Sequence, residues 1–308
     1  MEMGTLRPTS IGKRPLRSLS DLIDRRLDAA LRREALDRRP SGDDLHRQVE
    51  QLQSKVRSLE VLLDGSGRGM ARMPGPSHFA KLEREITEMT GDANAARRNV
   101  HCAFRILIAM ESLGVGRIAG GTMNICGKLA TIPLLDAPND DVLEIGTLYG
   151  LFAAALLRML ERAGRDPLLT VVDPLIGSQH QSGTTMAPDP SGTPVRESAV
   201  RTNLSLAGAA GTAARIQVGY STDPDVRAAV SDRRYGVIVV DGDHSYDGVA
   251  ADLVWVEKIA APGGIVVLDD CGDPKWPGVQ AALDDHLLGA SRLTLLGLAA
   301  SSAYLRAA

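Results

Sequence analysis

The chain has few of the residues that mark several common classes of protein. Its only cysteines are Cys102, Cys126 and Cys271, among 308 residues. Their odd number and wide separation favour reduced thiols over a disulfide framework or a zinc site, and predict a cytoplasmic protein. No apolar run is long enough to span a membrane, and none follows the basic N-terminus as it would in a signal peptide. A formal net charge of −3 argues against a general nucleic-acid binder.

Aromatic residues are also scarce, at 3% of a chain that is 44% hydrophobic. The core is therefore expected to be aliphatic and rich in alanine. The first predicted strand-to-helix turn, Glu144-Ile-Gly146-Thr-Leu-Tyr-Gly150, lacks the G-x-G-x-x-G pattern and the G-K-S/T of a phosphate loop. Dinucleotide and nucleoside triphosphate ligands are correspondingly less favoured.

The N-terminal part of the chain is predicted to be helical. One helix is expected from Ser18, and a second carries apolar residues at alternating steps of four and three: Leu45, Val49, Leu52, Val56, Leu59 and Leu63. This spacing is typical of a dimerising coiled coil, or of an amphipathic helix that packs on its own domain, and both interpretations stay open. A linker follows at Gly65–Pro76. We expect three regions: residues 1–75 as a helical extension and linker, 76–135 as a helical cap, and 136–308 as an α/β domain.

Strands and helices alternate from about Asp141 onwards. Short apolar, β-branched runs predict strands at 142–145, 168–172, 214–218, 235–240, 265–268, 292–298 and 303–306. The first five are separated by helical patterns, whereas only a few small residues join the last two. The predicted fold is α/β: a doubly wound, mostly parallel, seven-stranded Rossmann-like sheet with a C-terminal antiparallel hairpin.

Acidic residues follow two of these strands. Asp241-Gly-Asp-His244 comes after the fourth strand, and Asp269-Asp270 after the fifth. In an open parallel sheet ligands bind at the carboxyl ends of strands. Asp241 could simply cap its turn, but adjacent like charges such as Asp269 and Asp270 repel unless a cation or hydrogen-bond donors compensate them.

The first two strand ends indicate the kind of ligand. Gly146 and Gly150 allow a tight turn and close contact with a ligand, and Asp173, at the end of the second strand, can accept hydrogen bonds from ribose hydroxyls. Together they favour an adenosine-bearing ligand. A long polar loop after Asp173 is a predicted substrate lid.

Four motifs in order carry a family resemblance: E-I-G-T-L-Y-G, T-V-V-D-P, V-D-G-D-H-S-Y-D-G-V and P-G-G-I-V-V-L-D-D. They resemble the class I S-adenosylmethionine-dependent methyltransferases, in particular the branch of macrolide-sugar O-methyltransferases and cephalosporin-biosynthesis-type methyltransferases. The resemblance covers roughly residues 100–308. It implies that S-adenosylmethionine is bound by seven residues: Glu144, Gly146, Tyr149, Gly150, Asp173, Ser221 and Asp241.

The same resemblance implies a metal and a base. In the metal-dependent members a magnesium ion is held by acids that correspond to Asp241, Asp269 and Asp270, and hard oxygen ligands suit that ion. His244 corresponds to the general base proposed for the macrolide-sugar branch.

The function expected from this resemblance is O-methylation of a small-molecule hydroxyl, on a sugar or polyol of a natural product or glycolipid. We expect a homo-oligomer formed through the N-terminal helices. Two other functions stay open: a catalytically inactive cofactor-binding protein that acts through its N-terminal helices, and a nicotinamide-dependent oxidoreductase.

Overall fold

The computed structural model describes residues 42–64, 73–176 and 192–308, together with Arg26 and Ala29. Apart from Arg26 and Ala29, the helix predicted from Ser18 lies outside the described residues, as do most of the linker and residues 177–191 of the predicted lid. The chain divides into two compact units, Met1–Leu59 and Glu60–Ala308.

Helix α1 (Gly42–Asp64) confirms that the heptad-like segment is helical. Asp43 and Asp44 lie in its first turn, where carboxylates are favoured by the helix dipole. Four of the seam residues are 40–59% exposed: Leu45, Val49, Leu52 and Val56. Pairing of this helix with a second chain stays a prediction.

The predicted sheet is confirmed. Its strands are β1 (Asp141–Ile145), β2 (Leu168–Asp173), β3 (Arg215–Val218), β4 (Tyr235–Val240), β5 (Ala260–Leu268), β6 (Leu293–Ala299) and β7 (Ser302–Ala307). Their order is β3-β2-β1-β4-β5-β7-β6. The first five strands are parallel, and β7 lies antiparallel between β5 and β6. Successive strands are therefore added to one side of β1 and then, from β4, to the other side, and such sheets bind ligands at the point where this strand order reverses.

Helices cover both faces of the sheet. They are α2 (Pro76–Thr90), α3 (Ala93–Leu113), α4 (Thr122–Thr131), α5 (Leu151–Arg162), α6 (Glu197–Ser205), α7 (Ala209–Thr212), α8 (Pro224–Val230), α9 (Tyr246–Ile259) and α10 (Pro277–Leu288). Side chains of α2 to α6 share one apolar cluster with one face of the sheet, and those of α8 to α10 share another with the opposite face. No helix in the described part of the chain is long and apolar enough to cross a membrane.

One predicted boundary differs from the structure. Strand β5 begins at Ala260 rather than at the predicted residue 265. Ala260 pairs with Tyr235, and an irregularity then shifts the register before Ile265 pairs with Val237, so Pro262-Gly263-Gly264 lie in an irregular part of the strand. Further along the chain, α6 and α7 are separated by a turn in which Gly208 has a left-handed φ of 77°.

The stretch 119–127 is rich in glycine, and helix α4 runs through its second half. A Cβ at Gly127 would be 3.4 Å from Leu82 Cδ1 and 3.5 Å from the carbonyl oxygen of Ala299. These are ordinary van der Waals contacts with α2 and the end of β6, so the packing at this position does not require glycine.

Candidate active site

Backbone hydrogen bonds continue the sheet ladders one residue beyond the strand ends. Asp241 N donates to Ile145 O at 2.8 Å, and Asp269 N donates to Val240 O at 3.0 Å. On the other side of β1, Gly146 N donates to the carbonyl oxygen of Val172 at 2.9 Å. The segments that follow β1, β4 and β5 are therefore held at one edge of the sheet, as the sequence predicted.

His244 lies between two of the predicted carboxylates. Its Nε2 is 3.5 Å from Asp241 Oδ1 and 3.5 Å from Asp270 Oδ2. The Trp276 ring stacks on the imidazole, with centroids 4.8 Å apart. Burial by itself lowers the pKa of His244, but the neighbouring Asp241 carboxylate, followed by Asp270 and Asp269, raises it above the ordinary value. The imidazole is thus fixed in orientation and biased towards its charged form.

A residue that the sequence did not single out, Lys128 of α4, reaches into the same cluster. Its Nζ is 2.6 Å from Asp269 Oδ2 and 3.1 Å from Asp241 Oδ2, and it lies 4.9 Å from the centroid of the Phe152 ring. Lys128 is 2% exposed, on a helix whose residues are nearly all buried. A single basic residue in an otherwise buried helix was the signal that could have identified it, because buried lysines are nearly always paired.

The acids of the cluster differ in their surroundings. Burial would raise the pKa of Asp241, but the adjacent Lys128 ammonium lowers it well below its ordinary value. Burial and the Asp241 charge raise the pKa of Asp269. Burial, with the charges of Asp269 and Asp241, raises the pKa of Asp270 to about 7. Asp241 is therefore the group that Lys128 keeps ionised.

Two further polar side chains contact the acidic pair. Asn124 Nδ2, also from α4, donates to Asp270 Oδ1 at 3.2 Å, and Ser302 Oγ donates to Asp269 Oδ1 at 2.9 Å. Asp270 itself has a left-handed φ of 53°, which is uncommon for a residue other than glycine. Its backbone is held in this conformation at the position where its side chain faces His244.

The cluster does not fit a divalent ion in this arrangement. Magnesium needs oxygen ligands at about 2.0–2.1 Å in near-octahedral geometry, several of them water. The Lys128 ammonium instead contacts oxygens of two of the three proposed ligands, and Asp269 accepts hydrogen bonds at both of its oxygens. Among the described residues no group of three or more His, Cys, Asp or Glu side chains is arranged to hold a metal ion.

The glycine turn after β1 has the predicted left-handed conformations, at Gly146 (φ 84°) and Gly150 (φ 76°). The close approach at Gly146, however, is to protein. A Cβ there would overlap the carbonyl oxygen of Asp241 and would lie 2.8 Å from Gly242 Cα. Gly146 therefore lets the ends of β1 and β4 pack closely, and its contact with a cofactor stays a prediction.

Asp173 lies at the end of β2 as predicted, but its side chain is 1% exposed. Its Oδ2 accepts hydrogen bonds from Thr147 N (2.7 Å) and Leu148 N (3.1 Å), and its Oδ1 accepts one from Leu175 N (2.7 Å). The carboxylate therefore organises the glycine turn. A direct role with a ribose stays a prediction.

Tyr149 and Ser221 were also assigned to the cofactor. Tyr149 is 2% exposed, its hydroxyl donates to the carbonyl oxygen of Thr193, and its ring packs against Gly116. Its position is that of a core residue supporting the turn. Ser221 is partly exposed just beyond β3, where its carbonyl oxygen accepts from Arg227 Nε. Its contact with a cofactor is untested.

Glu144 offers the clearest place for a cationic ligand. It is 1% exposed, and burial raises its pKa to about 8 although the neighbouring Thr147 side chain opposes the rise. Within the described residues its Oε2 has no hydrogen-bond partner. Unsatisfied buried carboxylate oxygens are costly, so this atom suits a cationic donor brought by a ligand, such as the amino group of S-adenosylmethionine.

Comparison with known proteins agrees with this geometry. Residues 143–271 match a family described as a methyltransferase domain. The matched segment contains Glu144, the glycine turn, Asp173, His244 and both acids after β5, but not Lys128. No curated protein matches the chain significantly.

Several solved structures are similar in fold. The O-methyltransferase NovP is 18% identical, with 75% of this chain and 99% of that one covered and a TM-score of 0.49. TomG from Streptomyces achromogenes, in complex with S-adenosylmethionine, is 18% identical over 76% of this chain and 99% of that one, with a TM-score of 0.42. An O-methyltransferase from Bacillus cereus is 13% identical over 77% and 93%, with a TM-score of 0.43. Likeness of this extent carries no argument about substrate.

Residues 143–271 thus match a methyltransferase domain, and the strand order is the one expected from the resemblance to class I S-adenosylmethionine-dependent methyltransferases. The match is to methyltransferases and not to nicotinamide-dependent oxidoreductases, so the oxidoreductase alternative loses its support.

Proposed function

We propose that this methyltransferase methylates a hydroxyl group of a small molecule, namely a sugar or polyol of a natural product or glycolipid. The observation that carries the proposal is the placement of His244. It is fixed between Asp241 and Asp270, against Trp276, at the sheet edge where Glu144 and the glycine turn also lie. A base at that edge is suited to deprotonating an acceptor beside the cofactor.

The residues present fit S-adenosylmethionine, which supplies an electrophilic methyl group on a sulfonium. Glu144 would bind its cationic part, and Asp173 would hold the turn from 146 to 150 in the binding conformation through the amides of Thr147 and Leu148. Ser221 and Asp241 would complete the site. The chain contributes mainly position and orientation, which account for much of the rate in such transfers.

His244 would take the proton of the acceptor hydroxyl at Nε2. This nitrogen is buried and faces Asp241 and Asp270, whose side chains are 29% and 17% exposed, so the acceptor would reach it past these two partly exposed acids. The carboxylates orient the imidazole and stabilise the imidazolium formed when it takes the proton. Magnesium, expected from the family resemblance, is left out of this mechanism because Lys128 contacts two of its proposed ligands.

The test is a transfer assay with S-adenosylmethionine tritiated in its methyl group, over a panel of glycosides, polyols and catechols. We expect tritium on a hydroxyl oxygen of one acceptor class. His244→Gln should lower kcat by about 10²–10⁴-fold, as for loss of a general base. Binding of S-adenosylhomocysteine should be retained.

His286→Gln is the matched control. His286 is 11% exposed, close to the 9% of His244, and is paired with Glu257 at 3.1 Å at the other end of α9. It should keep the wild-type rate. A protein that binds S-adenosylhomocysteine but methylates none of these acceptors would favour the inactive cofactor-binding alternative. A wild-type rate in His244→Gln would exclude the proposed base.

The N-terminal helix supports a second part of the proposal. Exposed Leu45, Val49, Leu52 and Val56 follow coiled-coil spacing on α1, so we propose a homo-oligomer formed through this helix. In the same scheme residues 1–75 act as the assembly region, 76–135 as a helical cap and 136–308 as the catalytic domain. Cys102, Cys126 and Cys271 form no disulfide in the structure, which is consistent with a cytoplasmic location.

A further inference from the structure

We propose that Lys128 takes the place of the divalent cation in this methyltransferase, so that an ammonium group pairs with the acidic cluster and the cluster binds no metal ion. The proposal deepens the proposed function, on which it rests for the identity of the site. Its test measures metal binding rather than turnover, so the two can fail separately.

The ammonium group of Lys128 has a partner on each side within the cluster. An ammonium group has three N–H donors. Two of them have carboxylate partners, at 2.6 Å from Asp269 and 3.1 Å from Asp241, and the third direction is covered by the ring face of Phe152 at 4.9 Å. A lysine so placed and 2% exposed satisfies its charge within the cluster.

Helix α4 supplies two hydrogen-bond donors from the same face. Asn124 and Lys128 are four residues apart on the helix and therefore project from one face. Asn124 contacts Asp270, and Lys128 contacts Asp269 and Asp241. One helix thus reaches all three carboxylates that the family resemblance implies as magnesium ligands.

The Lys128 side chain has few other positions that it could adopt. Nearly every residue of α4 is buried, and Lys128 itself is 2% exposed, so its side chain has little free space to move into. Withdrawing the ammonium to admit a metal ion would place a charge among apolar side chains, which is strongly unfavourable. An ion entering with Lys128 in place would lie within a few ångströms of a like charge.

The experiment is titration with Mn²⁺, followed by the electron paramagnetic resonance signal of the free ion. Wild-type protein should leave the signal unchanged at millimolar Mn²⁺. Lys128→Met removes the charge while keeping the length and apolar stem of the side chain. It should take up Mn²⁺ in near one-to-one ratio, because three carboxylates then share a site without their cation.

The double variant Lys128→Met/Asp269→Asn is the control, and it should lose the Mn²⁺ binding gained by the single variant. Circular dichroism and S-adenosylhomocysteine binding establish that each variant is folded. A folded Lys128→Met that binds no Mn²⁺ would overturn the proposal. If Lys128→Met does not fold, the wild-type protein still decides. Wild-type binding of Mn²⁺ that is abolished in Asp269→Asn would refute the proposal. A wild-type protein that binds no Mn²⁺ and keeps full turnover in EDTA would support it.

Discussion

Replacing Gly146 with alanine tests whether this residue serves the fold rather than the cofactor. Gly146 has a φ of 84°, and its Cβ would overlap the Asp241 carbonyl oxygen at the junction of β1 and β4. Both neighbours are backbone, so neither can move aside as a flexible side chain would. The variant should therefore lose stability even without a ligand.

The size of this loss follows from two contributions. A non-glycine residue in the left-handed region costs about 1–2 kcal/mol. Forcing additional atoms into a well-packed interior costs about 1–3 kcal/mol. Their sum is about 2–5 kcal/mol for Gly146→Ala, and each kcal/mol should lower Tm by about 2–4 °C in a domain of this size.

Gly164 provides a control for the backbone contribution. Its φ is 80°, nearly that of Gly146, but among the described residues no atom beyond its chain neighbours lies within 4 Å of the position its Cβ would occupy. Gly164→Ala should therefore show only the left-handed cost. Urea denaturation of both apo variants, followed by circular dichroism, gives the difference directly. Equal losses in the two variants would refute the packing argument, and an unchanged stability of Gly146→Ala with lost S-adenosylhomocysteine affinity would restore the ligand interpretation.

Three other predictions follow from the site and from α1. Asp173→Ala should weaken S-adenosylhomocysteine binding by about 1–3 kcal/mol, the cost of leaving groups without the charged partner to which they were hydrogen-bonded. It should also lower the stability of the apo protein, because two turn amides lose their acceptor. An acid that only binds the ribose would leave the Tm of the apo protein unchanged. The rate should rise with pH as His244 loses its proton. Because the carboxylate neighbours raise the pKa of His244 despite burial, the midpoint of this rise should lie above about 6.5 and should move down in Asp270→Asn. A midpoint that does not change in this variant would exclude the electrostatic coupling. Deleting residues 1–70 should lower the oligomeric state in analytical ultracentrifugation while S-adenosylhomocysteine still binds, and a full-length monomer at micromolar concentration would contradict the coiled-coil proposal.

The order of strands and helices was predictable because the relevant signals are local. The run Tyr235–Val240 is β-branched, apolar and buried on both faces, and the structure gives it the predicted bounds. The acids Asp241 and Asp269 follow such runs directly, and parallel pairing of β4 with β5 brings their strand ends together. Their meeting at one edge therefore follows from the parallel topology.

What each of these groups contacts was decided by the tertiary structure. Lys128 lies 113 positions before Asp241 in the chain, and no periodicity relates the two. Their ion pair exists because α4 packs against the sheet close enough for a lysine side chain to reach the ends of β4 and β5. In the same way, the amides that occupy Asp173 and the carbonyl that excludes a side chain at Gly146 belong to other segments. Residue type and local spacing determine which chemistry is present at the sheet edge, whereas the partner of each buried charge depends on long-range packing.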